Sequence, residues 1–189
     1  MKKLILFAAL AVFGFTQVNA QAKFGAKAGA NLANLVGDIE DNKMLFGFHV
    51  GAVAEFAISE DFFIAPELLF STQGYKLDDD DFDASLNLNY INLPIMAKYQ
   101  VADGFTLEAG PQIGFLMSSK FKVEGESGDA EGLSDIDFGL NLGLGYRLES
   151  GLFFQGRYNI GLSNVADEGG DDFKINNSVI QFSVGYFFN

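Results

Sequence analysis

The chain has 189 residues, 25 of them acidic and 12 basic, and no cysteine. A formal net charge of −13 repels nucleic acid phosphates and excludes that partner; the lack of thiols excludes a disulfide framework, a thiolate metal site and a lipid-modified cysteine. Nearly half of the residues are apolar, with 21 Phe and 22 Gly, in a length that fits one domain.

Lys2 and Lys3 precede an apolar run from Leu4 to Phe15, and Val18-Asn19-Ala20 sets small residues at the −3 and −1 positions of a cleavage site. That order predicts a cleavable signal peptide over 1–20 and a mature barrel domain over 21–189. Without Lys2 and Lys3 the net charge falls from −13 to near −15. Beyond residue 20 no apolar stretch approaches the roughly 18 residues that a spanning helix needs.

Eight segments of period-two alternation follow instead: 23–35, 44–57, 62–76, 86–101, 105–121, 135–148, 152–164 and 174–188. The first sets Phe24, Ala26, Ala28 and Leu32 against Lys27 and Asn31. The second sets Phe46, Phe48, Val50 and Phe56 against His49, Gly51 and Glu55. The third opposes Ile64, Leu68 and Phe70 to Glu67, Ser71 and Gln73, and the fourth opposes Ile91, Leu93, Ile95 and Tyr99 to Asn92 and Lys98. In the fifth, Phe105, Leu107, Ile113, Phe115 and Met117 face away from Thr106, Glu108, Gln112, Ser118 and Lys120. The sixth opposes Phe138, Leu140, Leu142 and Leu144 to Asp137, Asn141 and Arg147. The seventh opposes Phe154, Tyr158 and Ile160 to Gln155, Arg157 and Asn159, and the last opposes Ile180, Phe182 and Val184 to Asn177, Gln181 and Ser183.

The connections differ in kind. Ser59-Glu60-Asp61, Ala102-Asp103-Gly104 and Glu149-Ser150-Gly151 are tight polar turns, whereas Val36 to Lys43, Leu77 to Ser85, Val123 to Ser134 and Ala166 to Phe173 are longer and acidic. Short and long alternate along an even number of strands. The pattern predicts an all-β, eight-stranded antiparallel up-and-down transmembrane β-barrel with short periplasmic turns and longer outer loops. A soluble sandwich shows the same alternation with its apolar face inward. Here, however, the apolar faces carry no charge through their middles. The polar faces mix Lys27, Glu55, Glu67, Lys98, Glu108, Asp137, Arg147 and Arg157 with glycines, which suits a lumen only wide enough to be filled by side chains. Pro66, Pro94 and Pro111 lack a ladder donor, so each is expected at a bulge or where that donor would face no partner. Val184, Tyr186 and Phe188 alternate to the end like the aromatic-ended final strand read by the outer-membrane assembly machinery, although Asn189 follows.

Four motifs carry a family resemblance. Tyr90-Ile-Asn-Leu-Pro-Ile-Met-Ala-Lys98 resembles a Tyr-x-x-x-Pro-x-x-x-Lys strand, and Ala109-Gly-Pro-Gln-Ile-Gly-Phe-Leu-Met-Ser-Ser-Lys120 resembles a Gly-Pro strand with a trailing Lys. Asp137 to Gly145 and Arg157 to Asn164 resemble the sixth and seventh strands of the same family, the PorT-like outer-membrane β-barrel domain. The resemblance runs over essentially all of 21–189. It implies an eight-stranded up-and-down barrel in the outer membrane of a Gram-negative bacterium and much less about activity: the founding member assists a protein secretion system, while most relatives have no assigned role. Fold alone does not carry the role across.

The eight lumen charges are the main candidate site, either as a structural plug of ion pairs or as a gated conduit whose pairs break and re-form. His49 is the sole histidine and the base that a barrel hydrolase would need, with Ser71 or Ser118 as nucleophile; a neutral structural histidine is the simpler expectation. The run Asp78, Asp79, Asp80, Asp81 with Asp83 lacks the glycine and spaced ligands of a calcium loop and is expected to be a solvated acidic outer loop. No cofactor, resident metal or enzyme activity is expected. The expected partners are outer-membrane lipid and lipopolysaccharide, the assembly machinery and an envelope protein. The assignment of faces predicts that Leu140→Arg impairs insertion far more than Asn141→Arg, measured as folded protein in purified membranes.

Overall fold

The computed structural model describes residues 22–38, 43–79, 82–123, 126–130, 132–166 and 174–188. The expected signal peptide lies outside them. Among the described residues there are nine strands: β1 (Ala22–Gly37), β2 (Lys43–Ala57), β3 (Phe62–Asp79), β4 (Phe82–Ala102), β5 (Phe105–Val123), β6 (Glu126–Asp129), β7 (Ile136–Arg147), β8 (Leu152–Gly161) and β9 (Ile175–Phe187). The long strands pair antiparallel in the order β4-β3-β2-β1-β9-β8-β7-β5, and β4 pairs with β5 to close the ring. The four-residue β6 stands outside that ring, paired with the end of β5. The fold is therefore a closed eight-stranded barrel with one accessory strand.

Register fixes its shape. From Leu142, successive partners lead one way through Ala109, Ala97, Ile64 and Phe56 to Ala22. The other way they lead through Tyr158 and Ile180 to Leu32. The two end points lie ten residues apart on β1 (32 against 22), a shear that tilts the strands by about 40°. Phe105 to Met117, both exposed on β5, then spans about 30 Å along the barrel axis at about 3.3 Å per residue. That is tall enough for the apolar band of an outer-membrane barrel. Phe24, Tyr99, Phe105, Tyr146, Tyr186 and Phe188 are exposed around the short-turn end, where an aromatic girdle belongs. Gly104 closes one short turn with φ 74°, and its carbonyl accepts the Arg147 amide at 2.8 Å.

Three details depart from the alternation pattern. First, the connection expected over Leu77 to Ser85 is mostly ladder: Leu77↔Ala84, Asp78↔Asp83 and Asp79↔Phe82 are paired, so β3 and β4 run on past the apolar band. Val123 to Ser134 likewise contains β6. Acidic composition read as loop, but a hairpin standing in water pairs its backbone just as well. Second, the register shifts lie at Met44/His49, Asn89/Tyr90 and Gln100/Ala102, not at the prolines. At Pro66, Pro94 and Pro111 the ladders β2–β3, β3–β4 and β4–β5 skip two pairs each and resume in the same register. A missing donor thus interrupts the ladder without an extra residue.

Third, Tyr90 opposes Leu116 while Asn89 opposes Ser118, so Met117 is an extra residue on β5. A one-residue bulge moves every later side chain to the other face. Leu116 packs on the interior, whereas Ser118 and Lys120, expected in the lumen, share the outer face with Asn89 and Asn87.

Leu140 is 37% exposed, while Asn141 is fully buried and bonded to Gln112 at 3.3 Å and Asn159 at 3.1 Å. An arginine at 141 therefore carries its own overpacking cost of about 1–3 kcal/mol, so the Leu140→Arg comparison with Asn141→Arg does not isolate the lipid term. The comparison that does is Leu140→Arg with Leu140→Ala: near the middle of the band the arginine should cost about 2–4 kcal/mol more, read from urea midpoints in lipid vesicles. Removing Met117 should turn Lys120 and Lys122 inward and lower the folded yield more than Met117→Ala, measured by the gel shift between folded and heated barrel.

Candidate functional site

The lumen is layered. At the short-turn end Phe153 and Phe187 stack with ring centroids 4.8 Å apart. The Lys98 ammonium lies 6.0 and 5.9 Å from their centroids, and the Arg147 guanidinium lies 5.7 and 5.6 Å from those of Phe63 and Phe187. Both cations rest on aromatic faces, which attract positive charge.

Above this floor runs a chain of ion pairs. Lys27 Nζ is 2.7 Å from Glu67. Arg157 donates to both oxygens of Glu67 at 2.9 Å, a bidentate fork, and reaches Glu108 at 3.4 Å. Lys98 lies 3.6 Å from Glu108 and 3.3 Å from Glu55, and Glu55 also pairs with Arg147. The order is Lys27, Glu67, Arg157, Glu108, Lys98, Glu55, Arg147: signs alternate throughout, and each member comes from a different barrel strand. All are buried except the Arg147 side chain, which is 21% exposed. Gln155 binds the chain across its middle; its amide donates to Glu108 at 2.9 and 3.1 Å, and its carbonyl accepts from Lys27 at 3.0 Å.

The structure thus gathers seven of the eight charges singled out in the sequence and separates the eighth. Asp137 lies nearer the loop end and accepts from Ser163 Oγ at 2.8 Å. Among the described residues no basic side chain pairs with it. Gln155 was legible as a polar-face residue, but its bridging role follows only from three strands meeting across the lumen.

Beyond the ion layer lies an uncharged one. His49 Nδ1 is 2.7 Å from Asn31 Oδ1, which also accepts from Gln181 at 3.2 Å, and His49 Nε2 is 2.8 Å from Ser183 Oγ. An acceptor shared in this way makes Nδ1 the donor and leaves Nε2 to accept from the serine hydroxyl. The imidazole lies against Gly29, where any Cβ would stand 2.6 Å from Cε1. Ser71 binds Asn31 rather than His49, and Ser118 binds Asn89 on the outer face. A serine, a histidine and an asparagine are in line, yet all three are buried.

At the loop end Leu35, Leu88, Tyr90, Val165 and Ile175 form an apolar cap, with Leu133 and Ala166 packed on it. Leu133 and Ala166 bridge the two loops that bring the cap together. A cavity of about 20 Å³ touches Glu55, Lys98, Glu108 and Gln155, room for about one water. A recess of about 880 Å³ opens instead on the lipid side, over Ala97, Ala109 and Gly156. Asp80, Asp81 and the side chains of Asp78, Asp79 and Asp83 lie outside the described residues. Among the described residues no three His, Asp or Glu side chains gather as metal ligands do.

Residues 15–167 match the family described as the outer membrane protein beta-barrel domain. No curated protein matches the chain. Among solved structures it is similar to Neisserial surface protein A, at 14% identity and a TM-score of 0.58, over 88% of this chain and 99% of that one. It is also similar to Ail, the attachment invasion locus protein of Yersinia pestis, at 14% identity and a TM-score of 0.55 over the same shares. A major outer membrane protein from Thermus thermophilus matches at 17% identity and a TM-score of 0.50, over 89% of this chain and all of that one. Such identities speak to the fold alone. With most of its length matched, the chain belongs to the outer-membrane β-barrel domain family and resides in the outer membrane of a Gram-negative bacterium.

Proposed function

We propose that the protein is a sealed, non-catalytic barrel with a structural or accessory role in the cell envelope, its lumen filled by ion pairs rather than open to solutes. The observation that carries this reading is the unbroken seven-member charge chain between an aromatic floor and an apolar cap. Opening a path would separate buried charges in a lumen with room for about one water beside them, which costs several kcal/mol for each one left alone. His49 is structural in this reading, since no substrate reaches a hydroxyl held under the cap. An accessory task in secretion, the role of the founding member of the PorT-like family that the four motifs resemble, is the alternative reading. That task predicts cargo stranded in the periplasm on deletion of the gene.

Purified protein in a planar bilayer should stay silent; stepwise conductance would reverse the proposal in favour of a narrow channel. Glu67→Gln leaves Lys27 without a carboxylate and Arg157 with Glu108 alone, and should lower stability by about 3–5 kcal/mol, read from the urea midpoint. His49→Ala should cost about 1–3 kcal/mol, because the Ser183 hydroxyl loses its acceptor and Asn31 Oδ1 keeps only Gln181, with no activity lost.

A further inference from the structure

The basic residues after position 20 fall into three groups. Lys27, Lys98, Arg147 and Arg157 belong to the lumen chain, Lys23 stands at the short-turn end, and Lys43, Lys76, Lys120, Lys122 and Lys174 gather where the strands leave the apolar band at the loop end. In so acidic a chain this clustering is selective. One row of paired residues runs Lys43↔Lys76↔Ser85↔Lys122↔Ser127 across β2, β3, β4, β5 and β6. The adjoining row toward the membrane contains Tyr75 and Leu86, which pack on the interior cap. Alternation therefore turns the lysine row outward. Asn87 and Lys120, opposite each other one row further in on the same face, extend it. Asn87 donates to Ser85 Oγ at 3.3 Å and Asn89 donates to Ser118 Oγ at 2.9 Å, so amides and hydroxyls line the same surface.

Adjacent strands lie about 4.8 Å apart, so Lys43 and Lys76 stand side by side on this face. The bulge at Met117 is what carries Lys120 and Lys122 to this face. Acidic residues border the row: Asp129 opposes Lys120, and Asp78 opposes Asp83 two positions farther out. The lysines thus stand between an apolar band and an acidic outer hairpin, at the level where lipid headgroups meet the barrel. Their flexible stems let the ammonium groups reach over this amide- and hydroxyl-lined rim to lipid phosphates.

Building on the outer-membrane placement with the loops facing outward, we propose that the Lys43–Lys76–Lys122 row, with Lys120 beside it, binds the phosphate groups of outer-leaflet glycolipid and fixes that lipid to one side of the barrel. The wild-type barrel and K43Q/K76Q/K122Q are folded into nanodiscs of phosphatidylcholine with lipid A, and lipid A retained after detergent exchange is counted by mass spectrometry. Wild type should retain at least tenfold more than the triple variant, dephosphorylated lipid A should fall to the level of that variant, and Lys23→Gln should match wild type. Equal retention by wild type and the triple variant, or full retention of dephosphorylated lipid A, overturns the proposal. So does a soluble sulfated polysaccharide that binds the row while lipid A does not. The gel shift between folded and heated barrel, run on every variant, separates failure of the lysine row from failure of the barrel.

Discussion

Closure of the backbone ladder is the constraint on which the rest of the molecule depends. In hydrocarbon there is no water to satisfy an exposed amide or carbonyl, so a sheet that crosses a membrane has to leave no edge. The β4–β5 pairing provides that closure, and the ten-residue offset between the two circuits sets the tilt, the height of the apolar band and the width of the lumen. The three prolines show how much the ladder tolerates. Each interrupts one seam of three neighbouring seams, and in each case the register is the same on both sides of the gap.

A narrow closed ring then dictates what its interior can hold. Side chains from opposite walls meet, so a charge on one strand is within reach of charges on several others. The alternating order from Lys27 to Arg147 satisfies each carboxylate from two sides, and Gln155 supplies the amide donors that the guanidinium and ammonium groups leave over. Charged layers of this kind add little stability relative to an apolar core, but breaking one is costly. The interior is therefore specific rather than greasy, while the grease that would fill a soluble core faces lipid. The apolar cap at the loop end reverses that order once the strands leave the membrane, because there the outside is water.

The bulge at Met117 links these two regimes. Below it, even-numbered residues of β5 such as Glu108 and Gln112 face the lumen; above it, Lys120 and Lys122 face outward. One inserted residue thereby keeps two lysines out of an apolar cap and delivers them to the membrane border. The extended β3–β4 hairpin and β6 give that border a continuous sheet on one side of the barrel.

Period-two alternation, the spacing of tight turns and the charge-free apolar faces made the eight strands, their direction and the lumen set legible without coordinates. These are local properties, since a side chain's face depends only on its own strand. What the sequence left open is whatever depends on which strands become neighbours and in what register. It did not show that Ser183 rather than Ser71 would meet His49, that Asp137 would stand apart from the other seven charges, or that an acidic stretch would pair as ladder. Nor did it show that Lys120 would leave the lumen, because a bulge exists only relative to a partner strand. Those choices belong to the closed sheet, whose shear brings residues more than a hundred positions apart to the same height.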